Sequence, residues 1–404
     1  MATPTPRKVL LLENVHPSAR ELFAAEGFTV EAVAGALSHD DLARRLADVD
    51  VLGIRSKTQV TPAVLDAAPR LLTLGCFCIG TNQVDLTRAN ARGVPVFNAP
   101  FSNTRSVAEM IIAEVIALAR QLGDRVREVH AGQWRKVAAG CYEVRGKTLG
   151  IVGYGHIGSQ IGVLAEALGM RVAYFDVMTK LPMGNNHPCA TLDDLLGRSD
   201  FVTLHVPATH QTHGMIGPAQ LAQMRKGAFL LNASRGTVVQ IPALADALRS
   251  GHIAGAAIDV YPEEPETNSD GFVTALQGLS NVILTPHIGG STAEAQAAIG
   301  KEVATSLIKF VKGGATTGAV NFPNVELQPA PGTHRLLNVH RNTPGVLRDI
   351  NRIVSDLNAN IHAQTLSTDA AIGYLIMDLD QDVAEDVCNG MSTLATDIRT
   401  RVLY

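Results

Sequence analysis

Arg235, Glu264 and His287 are the residues of this 404-residue chain whose types and order could do chemistry. A histidine can take or give a proton near neutral pH, and a carboxylate beside it holds the ring and favours its protonated form. A guanidinium can grip a carboxylate through two parallel hydrogen bonds. Upstream, Gly153-Tyr-Gly155-His-Ile-Gly158 has the spacing of a dinucleotide loop. Its first glycine permits a tight turn, the second lets the backbone approach a pyrophosphate, and the third allows helix and strand to pack closely. The N-terminus of the helix that follows stabilises the phosphate charge. Asp176 ends the next strand, where a carboxylate accepts from ribose hydroxyls and repels a 2′-phosphate, which favours NAD over NADP. A proton-transfer set that follows a nicotinamide site is suited to oxidising an alcohol beside a carboxylate.

Elements of regular structure must deliver these groups. Apolar runs at 9–12, 51–54, 71–76 and 94–98 read as buried strands, with amphipathic stretches such as 18–26 and 40–47 between them. Strand–helix alternation implies a parallel sheet with helices on both faces. Ser106-Val-Ala-Glu109 has the form of a capping box, and the apolar spacing after it predicts a helix running to Gly123. A second alternating block has strands at 147–154, 171–176, 201–207, 228–232, 254–259 and 282–285, then a long helix over 293–312. Arg235, Glu264 and His287 each lie just past one of these strands, so they meet at the carboxyl edge of the sheet, where ligands bind. Past a Gly- and Pro-containing stretch, 335–404 reads β-α-β-β-α-β, the ferredoxin-like order. The division expected is a first α/β domain over 1–104 completed by 292–320, a nucleotide domain over 105–291, a linker over 321–334 and a small domain over 335–404.

Composition narrows the class. Hydrophobic residues make up 46%, charged residues 18% and aromatics 4%, with 36 glycines, the profile of an α/β enzyme rather than a disordered or fibrous chain. A net charge of −4 without a basic run argues against a nucleic-acid surface. Cys76, Cys78, Cys141, Cys189 and Cys388 are odd in number and form no C-x-x-C pair, as expected of reduced thiols in the cytoplasm. The N-terminus lacks the apolar core of a signal peptide, and the greasy stretch 107–119 carries Glu109 and Glu114 and is too short to span a bilayer. A soluble protein without a metal is expected.

The segments G-Y-G-H-I-G, N-A-S-R-G, D-V-Y-P-x-E-P and T-P-H-I-G-G closely resemble those of the D-isomer-specific 2-hydroxy-acid dehydrogenases. The likeness covers nearly the whole chain up to Gly313. It implies a flavodoxin-like substrate domain beside a Rossmann NAD domain, both doubly wound. His287 is then the proton acceptor in alcohol oxidation, Glu264 its partner, and Arg235 the group that binds the carboxylate and polarises the carbonyl oxygen. The same likeness implies that Gly153, Gly155, His156, Ile157, Gly158, Asp176, His205, Ala233, Ser234, Asp259, Gly289 and Gly290 line the cofactor site. Ile79 and Gly80, with Asn103, would take the substrate carboxylate region.

Leu74-Gly-Cys-Phe-Cys-Ile-Gly-Thr-Asn82 and the stretch from Asn98 to Glu109 look most like the members that oxidise 3-phospho-D-glycerate to 3-phosphohydroxypyruvate, the first committed step of L-serine synthesis. A phosphate needs cations, for which Arg55, Lys57 and Lys136 are the candidates, while a basic residue of relatives is replaced here by Ala34. The tail resembles an ACT domain, a module that binds amino acids. Its His340, Asn342 and Asn360 stand where such domains bind serine between two subunits, so feedback by L-serine and a homo-oligomer, expected as a homotetramer, are implied. Some reduction of 2-oxoglutarate is expected too. A reductase of hydroxypyruvate or glyoxylate is the alternative within enzymes, and an NAD-sensing corepressor the alternative outside them. Trp134 is expected as a packing anchor.

Overall fold

A computed structural model describes residues 6–265 and 270–403; residues 1–5, read above for their lack of an apolar core, lie outside the described residues. Five short strands come first, all but the edge strand β2 largely buried: β1 (Lys8–Leu11), β2 (Thr29–Ala32), β3 (Val51–Ile54), β4 (Thr73–Cys76) and β5 (Val96–Asn98). They pair in parallel in the order β2-β1-β3-β4-β5, the flavodoxin-like winding. Successive side chains go to opposite faces, and in β1, β3 and β4 both faces are buried. Val9, Leu11 and Val51 join one core with Phe23 and the helix residues Val303 and Leu307. Leu10, Leu52, Ile54 and Leu74 join the other with Leu42, Val64 and Ala89. Gly75 in β4 is there because the helix Ala293–Gly313 comes close: a Cβ would stand 2.6 Å from Val303 Cγ1.

The second sheet has seven strands: β6 (Thr148–Val152), β7 (Arg171–Phe175), β8 (His187–Pro188), β9 (Phe201–Leu204), β10 (Ala228–Asn232), β11 (Ile253–Ile258) and β12 (Val282–Leu284). All pairs are parallel, in the order β12-β11-β10-β9-β6-β7-β8. Strand order reverses at β6 and β9, the switch point at which a Rossmann sheet opens a ligand crevice.

Two expectations in this region fail. The helix Thr104–Ala119 starts after Asn103, so Ser106 lies inside it and caps nothing; its hydroxyl instead meets the Thr292 hydroxyl at 2.7 Å. Gln121, in the left-handed conformation (φ 53°), ends that path, and a separate helix, Leu122–His130, follows. Trp134 is not a packing anchor within the chain: it is 84% exposed, past a helix that buries none of its own residues.

The third sheet is antiparallel: β13 (Thr333–Arg341), β14 (Ile361–Thr368), β15 (Ile372–Asp380) and β16 (Asp397–Val402), in the order β14-β15-β13-β16. Helices Val346–Asp356 and Ala384–Ser392 cover one face through Ile350, Val354, Val387 and Met391 against Leu336, Leu375 and Met377. The other face, Leu337, Val339, Ile372, Tyr374 and Ile376, shares a core with Phe97, Phe310 and Phe322 of the five-stranded part. Residues 1–102 and 296–404 accordingly form one compact unit and 103–295 a second.

The glycine- and proline-bearing stretch before β13 has no helix or strand, yet it is packed. Phe322 and Val325 are buried, and the Thr316 hydroxyl donates to Pro323 O at 2.6 Å. Arg335 grips Asp378 in two bonds of 2.7 and 2.8 Å and also donates to Gly313 O and Leu327 O, both ion-pair partners being fully buried. Among the described residues no helix is long and apolar enough to cross a membrane.

Candidate active site

The dinucleotide loop sits at the carboxyl end of β6, and each glycine has its own physical reason. Gly153 is left-handed (φ 90°), and a Cβ there would collide with His205 O; one on Gly158 would collide with Gly153 O. Gly155 faces open space, with nothing within 4 Å of where a Cβ would be. The helix His156–Ala167 begins there without a side-chain cap, and the positive end of its dipole favours an anion at that place. Its opening residues His156 and Ile157 are exposed and half-buried. Asp176 lies just past β7, its two oxygens fixed by the amides of Tyr154 (2.8 Å) and Met178 (2.9 Å). Packed first and third glycines, an open second one and an oriented carboxylate fit a dinucleotide.

The same unit brings Arg235, Glu264 and His287 into one electrostatic group. After β10, Asn232 shapes the turn by accepting from the Ser234 amide and hydroxyl and donating to Arg235 O. Gly236 is forced, since a Cβ there would collide with the Tyr261 backbone. Arg235 is half-buried and spends one N–H on Ser234 O at 2.7 Å. Ala233 is half-buried beside it and Ser234 buried. Glu264 accepts from the Tyr261 amide at 3.0 Å through one oxygen and meets His287 Nδ1 at 2.7 Å through the other. With Nδ1 donating there, Nε2 is left to accept a proton.

Titration follows that geometry. The hydrogen bond to Glu264 raises the His287 pKa above its ordinary value, against burial and the Arg235 charge. Burial pushes Glu264 up, but the bonds from His287 and the Tyr261 amide outweigh it and leave its pKa lowered.

Asp259 anchors the loop that carries His287. It is 1% exposed, and its carboxylate accepts from the Thr285 hydroxyl (2.6 Å) and the amides of Ile288 (2.8 Å) and Gly289 (2.9 Å). Its carbonyl accepts the His287 amide at 2.8 Å. Those bonds hold His287 at φ 55°, a left-handed conformation that costs a non-glycine residue roughly 1 kcal/mol or more. Gly290 has no room for a side chain because a Cβ there would crowd Asn103 Nδ2, which places Asn103, buried, beside the loop that carries His287. His205, after β9, bonds the Thr203 hydroxyl at 2.8 Å, while its enclosed Nδ1 has no partner. Burial drives its pKa to about 3, so it stays neutral. Glu114, on the helix Thr104–Ala119, is buried with both oxygens unpartnered, and burial, then the Asp259 charge, push it up to about 8.

The other unit holds Arg55 (half-buried), Lys57 (exposed), Ile79 and Gly80 (both half-buried). Sequence reading missed the two buried polar residues that assemble them. Gln83 Nε2 donates to Arg55 O at 2.6 Å and Gly80 O at 3.3 Å, tying the two loops together. Glu13 accepts the amides of Arg55, Lys57 and Thr58. Asn98 Nδ2 donates to Ile79 O at 2.6 Å. Lys136 belongs to the 103–295 unit and is exposed, so the three candidate cations do not share one loop.

In the small C-terminal sheet, His340 is buried (3% exposed), its Nδ1 at 2.7 Å from Asn338 Oδ1. Asn342 is exposed and donates to Asp369 O at 2.7 Å. Asn360 is exposed just before β14, whose first residue pairs with Leu379; His340 pairs with Gly373. Asn360 and His340 therefore lie at opposite ends of the sheet.

With that geometry in hand, comparison with known proteins gives concordant results. The model of the D-isomer specific 2-hydroxyacid dehydrogenase NAD binding domain matches residues 112–289, and that of the AHAS small subunit-like ACT domain matches 336–398. The chain is 56% identical over 397 residues to the D-3-phosphoglycerate dehydrogenase of Dictyostelium discoideum, covering 98% of this chain and 97% of that protein. It is 52% identical over 400 residues to that of Escherichia coli strain K12, with the same coverage of 98% and 97%. Among solved structures, the D-lactate dehydrogenase of Aquifex aeolicus complexed with NAD and lactic acid superposes with a TM-score of 0.66 at 26% identity, over 78% of this chain and 100% of that one.

Proposed function

The chain belongs to the D-3-phosphoglycerate dehydrogenases, NAD-dependent oxidoreductases of the D-isomer-specific 2-hydroxyacid family that carry an ACT domain, and from that premise we propose how its own residues work. The reaction is oxidation of the C2 hydroxyl of 3-phospho-D-glycerate to 3-phosphohydroxypyruvate. His287 Nε2 accepts the hydroxyl proton as the C2–H pair leaves, and returns it in the reverse direction. Glu264 holds Nδ1–H and stabilises the imidazolium. Arg235 binds the substrate carboxylate and polarises the C2 oxygen. NAD, when bound, supplies the acceptor for the hydride, with Gly155, the first amides of the helix after it and Asp176 holding its phosphates and ribose. Neutral His205 suits the cofactor side of the site because it adds no charge there.

The observation that carries this reading is the Glu264–His287 contact of 2.7 Å, since it leaves one ring nitrogen to work as acid and base. Turnover assays test it: NADH should form from 3-phosphoglycerate. No formation, alongside good reduction of hydroxypyruvate, sinks the reading.

Arg55, Lys57 and Lys136 are proposed as the phosphate cations, with Ile79, Gly80 and Asn103 around the carboxylate. Reduction of 2-oxoglutarate, whose shape and charge are similar, is a proposed side activity. The division into a substrate domain, an NAD domain and an ACT domain at the boundaries given above is part of the same proposal. The ACT tail is proposed to bind L-serine through Asn342 and Asn360 of two copies, because their places at opposite ends of one sheet suit a shared site only across a junction between copies. Buried His340 acts there through Asn338 rather than at the surface. Millimolar serine that leaves the rate unchanged overturns the regulatory part. Exposed Leu122, Val126 and Val129 at helical spacing on one helix, with exposed Trp134 past its end, favour a homo-oligomer, proposed as a tetramer, since apolar side chains in that number are seldom left in water. The five unpaired thiols favour a reducing, cytoplasmic setting.

A further inference from the structure

Glu13 stands just past β1, at the carboxyl edge of the five-stranded sheet, and is 7% exposed. It and Asn14 are both left-handed, with φ of 62° and 52°, and their amides donate to Gly35 O (3.2 Å) and Val33 O (3.5 Å). Glycine would take that conformation without strain, so a carboxylate kept there needs a reason of its own. The reason lies across the sheet edge. One carboxylate oxygen accepts the Thr58 amide at 2.8 Å and the Arg55 amide at 3.3 Å, and the other accepts the Lys57 amide at 3.0 Å. The charge is met by backbone donors.

Two consequences follow. Three amides of four successive residues point into the protein, so this turn cannot bind an anion by its backbone, as a nest of amides would. Any anion it holds must be held by the Arg55 guanidinium and the Lys57 ammonium. Fixing those amides also removes the backbone freedom of the segment that carries both cations, and Gln83, 4% exposed, fixes the carbonyl of Arg55 from the other side.

We propose that Glu13 is a positioning residue for substrate choice: by setting the turn 55–58 it aims Arg55 and Lys57 at the phosphoryl group, and so gives the enzyme its preference for a phosphorylated over an unphosphorylated 2-oxo acid. This rests on the reading of Arg55 and Lys57 as phosphate cations. Glu13 touches neither substrate nor cofactor.

The test compares reduction of 3-phosphohydroxypyruvate with that of hydroxypyruvate by the full-length enzyme with NADH. Glu13→Gln keeps the volume but turns one acceptor into a donor, so at least one amide loses its partner. The preference, as a ratio of kcat/KM values, should fall about 10-fold or more, through KM for the phosphorylated substrate, because uniform binding is lost. Hydroxypyruvate turnover should change by less than about threefold. An unchanged ratio, or equal losses on both substrates, overturns the proposal. Joint replacement of Arg55 and Lys57 by Ala separates the two ideas. If that variant keeps the preference, the phosphate reading itself fails; if it loses the preference while Glu13→Gln does not, only the role of Glu13 fails. Should Glu13→Gln not fold, Glu13→Asp keeps the charge but withdraws it by one methylene. It must then lower the same ratio, and an unchanged ratio there is equally decisive against the proposal.

Discussion

Asp259 and Glu13 do the same thing in different units of the molecule, and the difference between them is instructive. Each is a buried carboxylate at the end of a sheet strand, and each accepts three donors from a loop that carries side chains proposed to act on the substrate. Asp259 adds its own carbonyl to hold the His287 amide, and one residue is driven into a left-handed conformation to aim a single ring nitrogen. In the Glu13 turn the strain sits on the anchor, and the displayed residues are two long cations. Proton transfer demands a bond length and an angle, whereas attraction of a phosphate falls off slowly with distance. The anchor at the His287 loop is accordingly the more tightly specified.

Breaking the displayed group itself should give the largest effect. His287→Gln should lower kcat by about 10²–10⁴-fold, the range for a lost general acid–base, with little change in NADH affinity measured by fluorescence titration. A loss below tenfold would mean that the loop's precision serves something other than proton transfer. Breaking its anchor comes next. Asp259→Asn leaves at least one of the Ile288 and Gly289 amides and the Thr285 hydroxyl unmatched, which should cost about 1–3 kcal/mol in urea unfolding, with a drop in kcat.

Glu264→Gln sharpens the comparison through pH. The Glu264 bond raises the His287 pKa, so the imidazolium persists to higher pH. Oxidation needs the neutral ring and fades as pH falls through that pKa; reduction needs the cation and fades as pH rises through it. Without the carboxylate both limbs should move to lower pH, read from kcat/KM profiles in the two directions. Limbs that stay in place would assign them to another group.

The smallest effect on turnover is expected beside Asp259, where the readout is stability instead. Burial pushes Glu114 up to about 8 against 4.5 for an ordinary carboxyl, so the folded protein binds the extra proton between those values and loses stability as pH rises through that window. Glu114→Gln should be nearly neutral at pH 5 and more stable than wild type at pH 8, a gap that thermal melts at the two pH values would show.

The parts of this arrangement legible in the chain are those written locally. The glycine loop, Arg235, Glu264 and His287 each follow an apolar run directly, and the β-α-β-β-α-β order of the tail shows in its periodicity. What stays hidden is long-range or very short. Glu13 and Gln83 are single polar residues whose partners lie tens of positions away, or on a neighbouring loop, and a lone Glu after Leu12 looks like any solvated strand end. β8 is two residues long and carries no period. Ser106 has the sequence of a cap, but tertiary contact extends the helix one turn back past it. Trp134 misleads because a large apolar side chain signals burial without saying in what.

The shared core of Leu337, Val339, Tyr374 and Ile376 with Phe97, Phe310 and Phe322 has a consequence for anyone who would edit this gene. A stop codon after residue 330, meant to yield an unregulated enzyme, would strip one wall from the core of the five-stranded part and unpartner the carbonyls of Gly313 and Leu327 that Arg335 holds. The expected product is an aggregation-prone fragment, so the proposed serine control is better tested by point changes at the exposed Asn342 or Asn360.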